Sequence, residues 1–212
     1  MIKYLLFLPC VLFSISTELW GQEIAITGTG DEVILFQDGT WRYKDDSVAV
    51  AGVIELNPET FAKPESATFL LKSNRLDLGI WLDPKKWSFK KAVNNPQAEY
   101  EFELKNGDLY GMIIVEKVEI PLETLRKIAV ENGKEAAPDL RVVREEYREV
   151  NGLKVLLLQM HGTMQGIKFA YYGYYFSNEN GSVQFITYTA QNLLDEYKSQ
   201  AEGLLNGMVV TE

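Results

Sequence analysis

One histidine, His161, and one cysteine, Cys10, in 212 residues restrict the chemistry open to this chain. His161 stands in QMHGTMQG, near the end of an expected strand. To act in a nucleophile–histidine–acid triad it needs a serine or threonine hydroxyl beside it and a carboxylate behind it. No G-x-S-x-G elbow presents a serine, and a hydrogen-bonded histidine near a hairpin end is the expected reading. A hydrolase could instead draw a carboxylate pair from Glu145, Glu146 and Glu149. Glycosidic cleavage needs such a pair about 5–9 Å apart across a cleft, whereas a charged strand face is the ordinary origin of such a cluster. Structural zinc takes three or four ligands dominated by histidine and cysteine, so no metal of that kind is expected. Asp31-Glu32 and Asp45-Asp46 lack the spaced oxygen loop that calcium requires. Gly28, Gly30 and Val33 fail the third glycine of a dinucleotide fingerprint, and no P-loop is present. No cofactor is expected.

Binding chemistry has more material. Trp81 and Trp87 flank the Asp83-Pro84 turn beside Lys85 and Lys86, where a wet pocket rim could form. PKKWSFKK (84–91) is basic with interleaved aromatics: an anion patch, or a solvated turn with two packed rings. GIKFAYYGYYF (166–176) holds four tyrosines and two phenylalanines. In a strand, Phe169, Tyr171, Gly173 and Tyr175 share one face, and Ala170, Tyr172, Tyr174 and Phe176 share the other. With both faces aromatic, the strand is expected mid-sheet with cover on each side, not as a carbohydrate platform. A ligand cleft, if formed, is expected to involve Trp81, Trp87, His161 and Tyr171.

The elements that must position these residues follow from patterning. Lys3 and the apolar run YLLFLPCVLFSIS (4–16) read as a secretory signal over 1–21. Cleavage is expected after Gly21 or after Ser16. Cys10 follows Pro9 in that run, so it is expected to be discarded with the signal, not lipidated. The mature protein would be free of cysteine, periplasmic or extracellular, and without stable membrane insertion. The net charge is -9 and stays there on loss of Lys3 and Glu18, which disfavours nucleic acid and anionic membrane surfaces.

Residues 22–50 are expected to form a small β-unit with a tight Asp38-Gly39 turn, and 51–66, with Pro58 and Pro64, a linker. From 67 to 212 the main domain is expected to hold strands in ATFLLKS, LDLGIWL, AEYEFEL and LYGMIIVEKVEI. A helix over 121–132 is expected to open at Pro121 and close at Gly133. LRVVREEYREV fits a helix or a strand; Asn151-Gly152, a strong hairpin signal, decides for strand. The expectation is a four-strand meander over 141–150, 153–162, 167–176 and 182–189. Leu140, Val142 and Val150 would share one face. A last helix over 191–208 carries Leu193, Leu194, Tyr197, Ala201, Leu204, Leu205 and Met208 as its stripe, with Asn192 or Asp195 as cap. Asn180-Gly181-Ser182 matches a glycosylation sequon but serves as the last hairpin turn.

This order of elements, from GIWLDPKKW through the NG and NENG hairpins to LLDEYKSQAEGLLNGM, resembles the PsbP-like fold shared with the Ran-binding Mog family and with uncharacterised secreted bacterial proteins. The resemblance covers about residues 67–210 and carries no functional residue over. It implies an antiparallel sheet with helices on both faces, an α+β three-layer sandwich, and a role in binding or assembly. The expected function is a non-catalytic binding or assembly module of the bacterial envelope, acting on an unidentified envelope protein or small ligand. The alternatives are a hydrolase using His161 or a carboxylate pair, and a module that captures a partner through strand addition at residues 22–50.

Overall fold

The structure, a computed structural model, describes residues 23–26, 32–35, 41–43, 54–93 and 95–211. The expected signal segment, Cys10, the Asp38-Gly39 turn, Asp31 and Asp45-Asp46 lie outside the described residues. The chain divides into two units, one ending at Lys44 and one beginning at Asp45. In the first, β1 (Glu23–Ile26), β2 (Glu32–Leu35) and β3 (Trp41–Tyr43) form an antiparallel three-stranded sheet in that order.

The second unit is built on an eight-stranded sheet. Its strands are β4 (Leu56–Phe61), β7 (Trp87–Lys91), β8 (Ala98–Leu104), β9 (Tyr110–Glu116), β10 (Arg141–Val150), β11 (Leu153–Met164), β12 (Ile167–Asn178) and β13 (Gly181–Ala190). They run in the order β4-β10-β11-β12-β13-β9-β8-β7. The four-strand meander is present, two strands extending two residues further than expected. Asn151 (φ 50°) and Gly152 (φ 81°) both adopt the left-handed backbone that a tight two-residue hairpin demands, which is why that pair signals the turn. At the next hairpin but one, the Asn178 side chain accepts from the backbone N–H groups of Asn180 and Gly181 at 3.0 and 3.3 Å.

Two expectations about this sheet are corrected. Residues 56–61 are not linker: β4 pairs with β10 and does so in parallel, which makes the sheet mixed. Pro58 is compatible with this because an edge strand leaves one side of its backbone unpaired. Val142 and Val150 do not share a face either. A register shift between Val142 and Arg144 inserts an extra residue, and a bulge reverses the side-chain alternation beyond it. Val142 therefore joins the core on one side and Val150 the core on the other.

Each face of the sheet carries a core. On one side α1 (Leu122–Ala136) packs over β11 and β12, burying Leu125 and Ala129 against Leu156, Leu158, Met160, Phe169 and Tyr175. On the other, α2 (Leu194–Leu205), entered through a short 3-10 turn at Gln191–Leu193, buries Ala201, Leu204 and Leu205 against Tyr172, Tyr174, Val183 and Phe185. That side is not covered by helix alone. The strands β5 (Phe69–Lys72), β6 (Leu78–Leu82) and β14 (Met208–Val210) form a separate three-stranded sheet, ordered β14-β6-β5, whose Leu71, Leu78, Ile80 and Leu82 join the same core.

The helix ends differ from expectation. α1 continues through Gly133 to Ala136; Leu140 occupies the space beside that glycine, 2.8 Å from where a Cβ would stand. Met208 belongs to β14 and not to the helix, and no side chain caps the start of α2. Among the described residues no helix is long and apolar enough to cross a membrane.

Candidate functional site

The four residues expected at a cleft are dispersed. Trp87 is 4% exposed and belongs to the core on the α2 side. Trp81, on β6, is half-buried, with Lys63 Nζ 5.1 Å from its ring centroid. His161 is the register partner of Ala170, which lies in the α2-side core; Tyr171 is the partner of Met160, which lies in the α1-side core. Directly opposed residues point to the same face, so His161 and Tyr171 stand on opposite faces of the sheet. No single cleft can contain both.

His161 has Gln159 Nε2 3.0 Å from its own Nε2. Burial and the nearby Arg141 charge push the imidazole below its ordinary value, against a smaller upward pull from Asp195, and this favours a neutral ring. The carboxylates named above are also separated. Glu145 pairs with Leu158 and Glu146 with Leu157, residues of opposite cores. Arg126 holds Glu145 through two hydrogen bonds. Glu145 and Glu149 share a face but lie four residues apart on one strand, about 13 Å at strand rise, beyond the separation that glycosidic cleavage uses.

A polar constellation that sequence patterning did not reveal lies under α2. Arg148, 2% exposed, points inward at the parity of Val150. Its Nε donates to Glu146 Oε1 at 2.5 Å, and its Nη1 donates to Tyr174 Oη at 3.1 Å and Glu202 Oε1 at 3.0 Å. Tyr172 Oη donates to Glu202 Oε1 at 2.5 Å, Tyr174 Oη donates to Asn206 Oδ1 at 2.8 Å, and Asn57 Nδ2 donates to Glu146 Oε1 at 3.1 Å. The Phe61 ring covers the guanidinium at 4.3 Å. The cluster thus joins β4, β10, β12 and α2.

Burial raises both carboxyls, but the bonds from Arg148, with Asn57 and Arg144 for Glu146 and Tyr172 for Glu202, outweigh it. Both sit below the ordinary carboxylate range. Burial pushes the Tyr174 hydroxyl up to about 12 despite Arg148, and pushes Tyr172 higher still. These shifts favour charged carboxyls and neutral phenols near neutral pH, and the bonds tie β4, β10, β12 and α2 together. The readable signal was an arginine at an inward position of a strand facing two tyrosines whose hydroxyls needed partners.

An open polar pocket of about 320 Å³ lies at the β5–β6 turn, lined by Ser73, Asn74, Arg75, Asp77, Lys117 and Asn180 among others. Its floor is tied internally. Glu99 accepts from Ser73 Oγ and Asn74 N, each at 2.6 Å, and Arg75 Nη1 donates to the carbonyls of Gln97 and Val115, each at 3.1 Å. No group of acidic, histidine or cysteine side chains suited to a metal ion occurs among the described residues.

Neither a family model nor a curated protein sequence matches the chain. Solved structures do. Cyanobacterial PsbP (CyanoP) from Synechocystis sp. PCC 6803 aligns with a TM-score of 0.51 at 13% identity, over 76% of this chain and 95% of that one. The fold is PsbP-like. Weaker likenesses include a Bacteroides thetaiotaomicron VPI-5482 crystal structure at TM-score 0.48, with 9% identity over 69% of this chain and 49% of that one. LpqN of Mycobacterium tuberculosis, described as involved in cell envelope biogenesis, aligns at 0.38 with 10% identity over 77% and 87%. At these identities the likeness concerns the PsbP-like fold alone. The Arg148 cluster and the tyrosine strand are argued from their own geometry.

Proposed function

We propose that this chain is an exported, non-catalytic binding or assembly module of the bacterial cell envelope. The observation that carries the reading is the commitment of its acid–base groups to internal partners. His161 stands beside an amide and across the sheet from Tyr171. Glu145 and Glu146 are held by arginines on opposite faces. A hydrolase requires such groups to converge on one point.

Export rests on residues 1–21 acting as a cleaved signal, with the mature chain in the periplasm or outside the cell. In the same reading, the unit ending at Lys44 is an appended β-unit and the unit beginning at Asp45 is the main domain, layered with cover on both sheet faces and belonging to the secreted bacterial branch of the PsbP-like fold. The partner is an envelope protein or small ligand. Contacts near part-exposed Trp81 and Tyr171 are compatible with the geometry, while Trp87 contributes through packing.

The test pairs processing with function. The N-terminus of the protein recovered from the envelope fraction should be Gln22 or Thr17. A His161→Ala variant should restore a deletion strain as fully as the parent chain. Hydrolytic turnover abolished by His161→Ala or Glu145→Gln, in a variant that still folds, would replace this reading with the hydrolase.

A further inference from the structure

The tyrosine strand contributes one ring, Tyr171, to a row that leads from the α1-side core out to the surface. Tyr171 on β12 pairs in register with Tyr188 on β13, which pairs with Tyr110 on β9. Direct cross-strand partners share a face, so three rings stand in a row across the α1 side. Tyr110 and Tyr188 are stacked at 5.7 Å and 24°, and Tyr171 meets Tyr188 edge-on at 6.1 Å. Phe169 closes the inner end, 4.7 Å from Tyr171.

Exposure rises along the row. α1 packs over β11 and β12. Phe169 is buried, Tyr171 and Tyr188 are half-buried, and Tyr110 is 36% exposed. Met112 and Ile114 on the same face of β9 are also half-exposed. The next strand, β8, sets Glu103 opposite Tyr110 and Glu101 opposite Met112. Lys90 pairs with Glu101 at 3.2 Å, whereas exposed Glu103 makes no ion pair among the described residues.

We propose that this row is a docking site for a basic segment of a protein partner, with an arginine laid on the Tyr110–Tyr188 stack and paired to Glu103. Ring faces carry negative quadrupole density that attracts a guanidinium within about 6 Å, and a carboxylate beside the stack adds a charge-assisted hydrogen bond. Charge selects the occupant. A neutral sugar can stack on the rings and donate hydroxyls to the carboxylate but gains no charge pairing from it, and an acidic segment would be repelled by it. The net charge of -9 steers a basic partner at longer range. The inference rests on the binding-module reading and gives that reading a surface and a partner chemistry.

The test titrates the purified chain with a capped peptide of alternating arginine and glycine, following the tyrosine ring resonances by NMR at low salt. The peptide should shift Tyr110 and Tyr188, and the affinity should fall as salt is raised. Tyr110→Leu and the conservative Glu103→Gln should each weaken binding about three- to fivefold. Unchanged affinity in both variants, shifts confined to other residues, or shifts produced by a neutral hexasaccharide and not by the peptide would each overturn the site. None of these outcomes touches the binding-module reading, which falls only to turnover that depends on His161 or Glu145.

Discussion

Tyrosine at positions 172, 174 and 175 shows how one residue type can be spent in different ways on one strand. Tyr172 and Tyr174 bury their rings and pass their hydroxyls to Glu202 and Asn206. Tyr175 faces the other core, fully buried, and its hydroxyl has no hydrogen-bond partner. An unpaired buried hydroxyl costs on the order of 1–3 kcal/mol, whereas an apolar group of the same shape does not. Tyr175→Phe should therefore stabilise the fold by about 1 kcal/mol, read as a higher urea midpoint with unchanged slope. Destabilisation would reveal an internal water or partner at that oxygen. Alternation alone separated Tyr171 and Tyr175 from Tyr172 and Tyr174. It could not show which hydroxyls would be satisfied, because Glu202 and Asn206 lie at least 30 positions away in sequence.

At the scale of elements, local signals carried strands and turns well, and long-range pairing was hidden. The Asn151-Gly152 turn and the Asn178 side-chain bonds are local, so the meander from β10 to β13 was readable. β4 was not: its six residues, LNPETF, include a proline and little apolar patterning, and only pairing with β10 makes them a strand. The bulge at Val142–Arg144 was likewise invisible, because an extra residue breaks the alternation on which a strand is recognised. The Trp81–Trp87–His161–Tyr171 cleft failed for the same reason, since alternation assigns faces within a strand and not between strands. Gly173 marks a close backbone approach within the sheet. Its register runs unbroken, and a Cβ there would stand 2.8 Å from the Phe185 carbonyl oxygen and 3.0 Å from Ile186 Cα. Gly173→Ala should push β12 and β13 apart and cost about 1–3 kcal/mol, measured by chemical denaturation. A neutral effect would mean that the two strands can separate freely.

For the whole molecule, the Arg148 cluster links edge strand, central strand and α2, so its ionisation should govern acid stability. Glu146 and Glu202 both have folded values below the ordinary carboxylate range. Their contribution is fully present above the unfolded value of about 4.5 and is lost as pH falls through the depressed folded values. Urea stability should thus hold from neutrality to about pH 5 and decline below it. Glu146→Gln should flatten that decline; an unchanged slope would assign acid sensitivity to other carboxylates. The central claim is that β12 runs through the interior with Tyr172, Tyr174 and Tyr175 sealed, leaving function to the surface. Spectrophotometric titration of the tyrosines into alkali, with circular dichroism followed in parallel, tests it most directly. Tyr172, Tyr174 and Tyr175 should ionise only as the sheet unfolds, in a late cooperative step. Reversible ionisation of Tyr172, Tyr174 and Tyr175 in one early step with the exposed tyrosines, the sheet still folded, would contradict the account.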